Sequence, residues 1–166
     1  MENSQIKTGA TFSKCKKYRY SLWRIWDESK PYALFCMLNP STADETKNDP
    51  TVERCERRAR MMGFGGLMVV NIFAYRSTDP NKLYEVDNPV GPDNMTAIIQ
   101  AASEAGIIIC GWGKHGAFRL QGARVMGKLI SYGFNPHVLK TNKDGSPAHP
   151  LYIGYKVKPK PIMSPN

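Results

Sequence analysis

No stretch of about 18 or more apolar residues occurs in the 166-residue chain, so the sequence holds no candidate membrane-spanning helix. The opening MENSQIKTGATFSKCKKYRY lacks the apolar core of a secretory signal, and the expected location is the cytosol. Cysteine is sparse and scattered: Cys15, Cys36, Cys55 and Cys110 contain no C-x-x-C pair. With only 3 histidines they give no short metal-ligand spacing, so reduced thiols are expected, and neither metal nor cofactor. Acidic residues are also in short supply, 14 Asp and Glu against 23 Lys and Arg, a net charge of +9. That surplus favours a polyanionic partner, and it also serves solubility. It gathers at 14–19, 54–60 and 156–160.

What is present reads as one domain at 14–157, with a flexible leader at 1–13, a flexible tail at 158–166, no internal repeat and no linker. YRYSLWRIW (18–26) alternates apolar with polar or basic residues, as a half-exposed strand does. YALFCML (32–38), GLMVVNIF (66–73) and IIICGWG (107–113) are continuous apolar runs, as in strands covered on both faces; HVLKT (137–141) makes a fourth. Between them lie helices. Asp49-Pro50 supplies an N-cap and a first-turn proline, Val52, Cys55, Ala59 and Met62 give the apolar stripe, and Gly63 the stop. Two more helices are predicted, from Asp93 to Glu104 and over 116–132. Pro80, Pro89, Gly91 and Pro92 make 74–92 a long loop, and 151–157 reads as an edge strand. Strand and helix alternate, so the expected fold is an α/β three-layer sandwich with a central, mostly parallel four-stranded sheet.

In such a sheet ligands bind beyond the carboxyl ends of the strands. Each predicted strand ends there in a polar or glycine-bearing segment: Asn39-Pro40-Ser41-Thr42; Asn71 with Phe73, Tyr75 and Arg76; Gly111 to His115; and Ser146 to Pro150. Each piece also has a plainer reading. Asn39 suits a turn, Asn71 a loop cap, Trp112 the core, Asp49 a helix cap and the 54–60 arginines a solvated helix face.

The order of these segments resembles the uracil-DNA glycosylase superfamily. MLNPS is similar to its Asn-Pro motif, VVNIFAYR to its second motif, IIICGWGKHG to a late apolar run ending in Trp-Gly, and the His149-Pro150 pair to its final His-Pro. The likeness covers roughly 32–152. The Asn-Pro-Ser-Thr, Trp-Gly and His-Pro-Leu-Tyr segments also resemble, more closely, a bacterial and phage family known only as a domain of unknown function, which implies no activity.

The glycosylase resemblance implies a uracil-DNA glycosylase-like sandwich that hydrolyses an N-glycosidic bond and leaves an abasic site. Asn39 would position water, with Asp44 preferred over Asp49 as the nearby carboxylate and His149 as donor to the base or a phosphate. Pro40, Ser41, Asn71, Phe73, Tyr75 and Trp112 would form the pocket for a flipped base, and Arg76, Lys114 and Lys143 would hold backbone phosphates. Ser41 and Thr42 stand where uracil enzymes carry a bulky Tyr, so the expected base is a modified one, such as a hypermodified pyrimidine of phage DNA. The setting would be base excision or defence against modified DNA. The expected state is a monomer that binds DNA and no membrane. The alternatives are a nucleotide or nucleic-acid binding module without catalysis, and a hydrolase of free nucleosides or nucleotides.

Overall fold

In the computed structural model, which describes residues 5–162, seven strands form a single sheet. They are β1 (Lys7–Phe12), β2 (Arg19–Ile25), β3 (Tyr32–Met37), β4 (Gly66–Asn71), β5 (Ala105–Gly111), β6 (Pro136–Val138) and β7 (Lys160–Pro161), in the order β1-β2-β4-β3-β5-β6-β7. The neighbours β4, β3, β5 and β6 run parallel, and the pairs β1–β2, β2–β4 and β6–β7 run antiparallel. The α/β class holds, but the expected four-stranded sheet becomes a seven-stranded mixed one. The added strands lie where the sequence suggested flexible ends: β1 falls within 1–13 and β7 within 158–166. Residues 1–4 and 163–166 of those segments lie outside the described residues.

The apolar runs dictate two covered faces, because successive strand residues point to opposite sides. Leu34, Cys36, Val70, Ile108 and Cys110 pack under helices α2 (Asn94–Ser103) and α3 (Gln121–Ser131), through Ile98, Ala101, Val125 and Leu129. Ala33, Phe35, Leu67, Val69 and Ile109 pack under α1 (Pro50–Met61), through Val52, Cys55 and Ala59. Asp49 caps α1 as expected, its Oδ1 accepting from the Val52 N–H at 2.9 Å. The thiols of Cys36, Cys55 and Cys110 are buried and pushed up by desolvation, and Cys15 is exposed.

Three local readings change. Asp93 makes no side-chain cap to α2, and Asn94 turns its amide into the core instead. The helix predicted over 116–132 breaks at Phe118 (ψ 128°), Arg119 (φ 55°) and Leu120 (φ 57°), leaving a 3-10 segment, Lys114–Leu120, ahead of α3. The edge strand predicted over 151–157 is absent. Pro150–Tyr152 forms a 3-10 turn, and the chain then follows α1, where Arg54 and Arg58 donate to the Ile153 carbonyl at 2.7 and 2.8 Å. No helix among the described residues is long and apolar enough to cross a membrane.

Candidate functional site

The carboxyl ends of β3, β4, β5 and β6 share one rim, because parallel pairing sets them side by side. Hydrogen bonds tie the segments beyond them together. Ser77 N–H donates to Pro40 O at 2.9 Å, and Asn39 Nδ2 donates to Ser77 O at 2.8 Å and to Pro40 O at 3.1 Å. Gly113 N–H donates to Pro147 O at 2.8 Å. A Cβ on Gly111 would lie 2.9 Å from Ala148 O and from Pro150 Cδ, so only glycine lets the His149 loop cross the end of β5.

Two cavities open on this rim. The first, about 450 Å³, is lined by Lys16, Lys17, Ser41, Thr42, Tyr75, Arg76, Ser77 and Thr78. Cations and hydroxyls line it with no carboxylate, which is the chemistry of an anion site. Its basic wall is preorganised. Arg76 donates Nη1 to Lys16 O at 3.1 Å, its guanidinium lies 4.6 Å over the Phe12 ring, and its backbone N–H donates to Lys17 O at 2.9 Å. Lys16 takes the left-handed conformation, φ 64°, in the turn of the β1–β2 hairpin. The second cavity, about 320 Å³, lies beyond β5 between Trp112, Lys114, the Gly116 and Gly122 backbones and the Asp144–Pro147 turn.

The expected site residues therefore divide. Ser41, Tyr75 and Arg76 line the first cavity, and Trp112 and Lys114 the second. Asn39 spends its amide donor on loop carbonyls, and Pro40 is buried beneath the same loop. Phe73 is fully buried between α2 and α3, with Phe118 at 6.0 Å, so its ring is core and has no open face for a base. Lys143 lies in the exposed turn at 142–146 and lines neither cavity. Asp44 accepts from the N–H groups of Lys47 at 2.7 Å and Thr46 at 2.9 Å. Those donors hold its carboxyl below the usual carboxylate range.

Beneath the rim sits a buried polar cluster that local sequence does not reveal. Arg19 donates to Ala43 O at 3.0 Å and to Asn71 Oδ1 at 3.4 Å. Burial pushes its guanidinium down to about 10, against the pull of the Asp49 carboxylate. The bond to Oδ1 fixes the Asn71 amide, whose Nδ2 has no partner among the described residues. Asp49 also lies near His149, whose Nδ1 accepts from the Leu151 N–H at 3.2 Å, leaving the proton of the neutral ring on Nε2. Arg24 holds the 44–48 loop, donating to Asp44 O, Lys47 O and Asn48 Oδ1 at 2.7, 3.1 and 2.9 Å. Lys16 and Lys17 were visible as part of the basic cluster at 14–19. The β1–β2 hairpin carries them to the rim.

Burial holds His149 below its ordinary value of 6.5, with Asp49 opposing, so the ring is neutral at pH 7. The unfolded chain then binds this proton more readily than the folded one, and the stabilising contribution is complete above pH 6.5 and lost as pH falls below it. Urea unfolding is expected to show stability falling from about pH 7 to pH 5.5, with a shallower fall in His149→Gln. Equal slopes in the two proteins would show that the imidazole titrates as freely in the folded chain as in the unfolded one.

No curated protein and no solved structure matches the chain. The family described as "Protein of unknown function (DUF1643)" matches residues 19–151, a stretch that runs from Arg19 through the parallel strands to the His149 loop, and the chain belongs to that family.

Proposed function

We propose that the protein binds DNA through the basic cavity on the rim and hydrolyses the N-glycosidic bond of a modified base at the same rim, with Asp49, His149 and Asn71 beneath it. The observation that carries this reading is the cavity itself: Lys16, Lys17 and Arg76 face the hydroxyls of Ser41, Thr42, Ser77 and Thr78 beside the Asn-Pro-Ser-Thr loop, with no lining acid. Spaced cations and hydroxyls suit successive phosphates, and the net charge of +9 draws a polyanion to them.

Hydrolysis needs water delivered to the sugar C1′ while the C1′–N bond breaks and its electron pair leaves on the base. Both carboxylates are held by local backbone, Asp49 through its two oxygens by the Val52 and Ala43 N–H groups and Asp44 through Oδ1 by Lys47 and Thr46, but Asp49 alone is in electrostatic reach of both Arg19 and His149, which suits it to the first duty. The carboxylate would take the water proton and stabilise the cationic sugar. His149 Nε2–H and Asn71 Nδ2 are the donors for charge developing on the base. The new hydroxyl stays on C1′, and the base departs after taking up a proton.

A second reading, DNA or nucleotide binding without cleavage, is favoured by one specific observation: Asn39 Nδ2 and Asp44 Oδ1, on the first-motif residues expected to handle water, are taken up by backbone groups. Alkaline strand cleavage separates the two readings. Duplexes carrying ordinary bases, uracil, hydroxymethylcytosine or glucosylated hydroxymethylcytosine are incubated with wild type, Asp44→Asn and Asp49→Asn. Hydrolysis predicts abasic product from one modified duplex, lowered about 100-fold or more in Asp49→Asn and little changed in Asp44→Asn. Retention of DNA with no abasic product from any duplex selects the binding reading.

A further inference from the structure

The second rim cavity is lined by small residues together with Trp112, Lys114, Met126 and Asp144. Trp112 is only 5% exposed, and among the described residues its indole N–H has no acceptor, whereas that of Trp26 donates to Phe64 O at 2.9 Å. The atoms that a side chain would meet explain how the indole is seated. A Cβ on Gly122 would sit 2.5 Å from Trp112 Nε1, and one on Gly116 2.8 Å from the same atom. Neither glycine has a positive φ, so the backbone does not require glycine at either place. Both absent side chains let the indole pack closely on the Gly116 and Gly122 backbones, and the ring and the two glycines together line a cavity of about 320 Å³.

The walls define what fits. Lys114 adds a second donor at the mouth, and Asp144, which accepts from the Ser146 hydroxyl at 2.6 Å through Oδ1, has Oδ2 left as an acceptor. Ala117, Ala123 and Met126 are apolar. A phosphate offers only acceptors and would be repelled by Asp144. A heteroaromatic ring with a carbonyl or ring-nitrogen acceptor beside an exocyclic amine satisfies the donor, the acceptor and the apolar walls together.

We propose that this cavity is a nucleobase site for a cytosine-type edge, with the Trp112 N–H and Lys114 donating to the ring acceptors and Asp144 accepting from the exocyclic amine. It rests on the DNA reading and deepens it. The Ser41–Thr42 segment and Trp112 follow the neighbouring strands β3 and β5 on one rim, so a base here could belong to a nucleotide whose phosphate lies in the basic cavity.

The test is the indole N–H resonance of Trp112 in the full chain, read in ¹H–¹⁵N spectra against those of Trp23 and Trp26. Cytidine, uridine and inorganic phosphate are added separately at millimolar concentration. The expected result is a saturable shift of the Trp112 signal with cytidine, a weaker one with uridine and none with phosphate. Asp144→Ala should weaken cytidine about tenfold, and Gly122→Ala should block it. The spectra themselves report whether each variant is folded. A Trp112 signal unmoved by cytidine in wild type overturns the site, as does an equal response to phosphate or a response undiminished in Asp144→Ala. DNA retention measured beside it keeps the two proposals apart: retained DNA with an unmoved Trp112 sinks the base site alone, and a cytidine response without DNA binding sinks the DNA reading alone.

Discussion

Replacing Lys16, Lys17 and Arg76 together by alanine is expected to weaken DNA binding about 100-fold at physiological salt and to flatten its salt dependence. Each phosphate contact on duplex DNA contributes about 0.9 to the slope of log affinity against log salt, so three contacts remove about 2.7. The same counterion release extrapolated to about 0.15 M salt amounts to roughly two decades of affinity. Anisotropy titrations with a labelled duplex over a range of potassium chloride concentrations measure both quantities. A matched variant at Lys156, Lys158 and Lys160 serves as control, because it removes the same charge away from the basic cavity. If both triple variants lose the same slope, binding is a property of net charge and the cavity has no special part in it. If only the cavity variant loses it, the phosphates lie between the β1–β2 hairpin and the Asn-Pro-Ser-Thr loop.

Arg24→Ala is expected to destabilise the fold by about 3 kcal/mol and to weaken DNA binding as well. The side chain of Arg24, almost wholly buried on β2, donates to Trp23 O, Asp44 O, Glu45 O, Lys47 O and Asn48 Oδ1. Truncation leaves those acceptors under a void and frees the loop that carries Ser41 and Thr42. Lysine should rescue little, because a single ammonium cannot reproduce the guanidinium fork. Urea unfolding gives the stability change, and the duplex titration gives the functional one. A loss under about 1 kcal/mol would mean that the Asp44 turn and the Asn48–Glu53 contact hold the loop unaided.

Both predictions concern residues whose duty depends on distant partners. In YRYSLWRIW, Arg19 and Arg24 look like the wet face of a half-exposed strand, yet each is 2% exposed. The polar groups they serve lie on the 43–48 loop and at Asn71, brought over β2 only when β2 pairs with β4. The hairpin at 7–25 likewise carries little local signal. β1 is mostly exposed, and its turn uses Lys16 in a left-handed conformation in place of the glycine or asparagine that marks such turns. The 116–132 helix fails for a similar reason: Arg119 and Leu120 adopt positive φ, which no local signal announces.

By itself the sequence determined what depends on near neighbours and on burial. It placed the three apolar runs that became β3, β4 and β5, the Asp49-Pro50 start of α1, the alternation that makes the α/β class, and the presence of polar segments at the strand ends. Apolar runs have few alternatives to a doubly covered strand, and a cap is a contact within one turn. Only the tertiary structure decided how those polar segments are used. It turned Asn39 and Asp44 toward their own backbones, sank Phe73 into the core, set Asp49 beside Arg19 and His149, and carried Lys16 and Lys17 to the rim. A side chain's partner across the sheet is fixed by strand order and register, which belong to the whole chain and to no window of it.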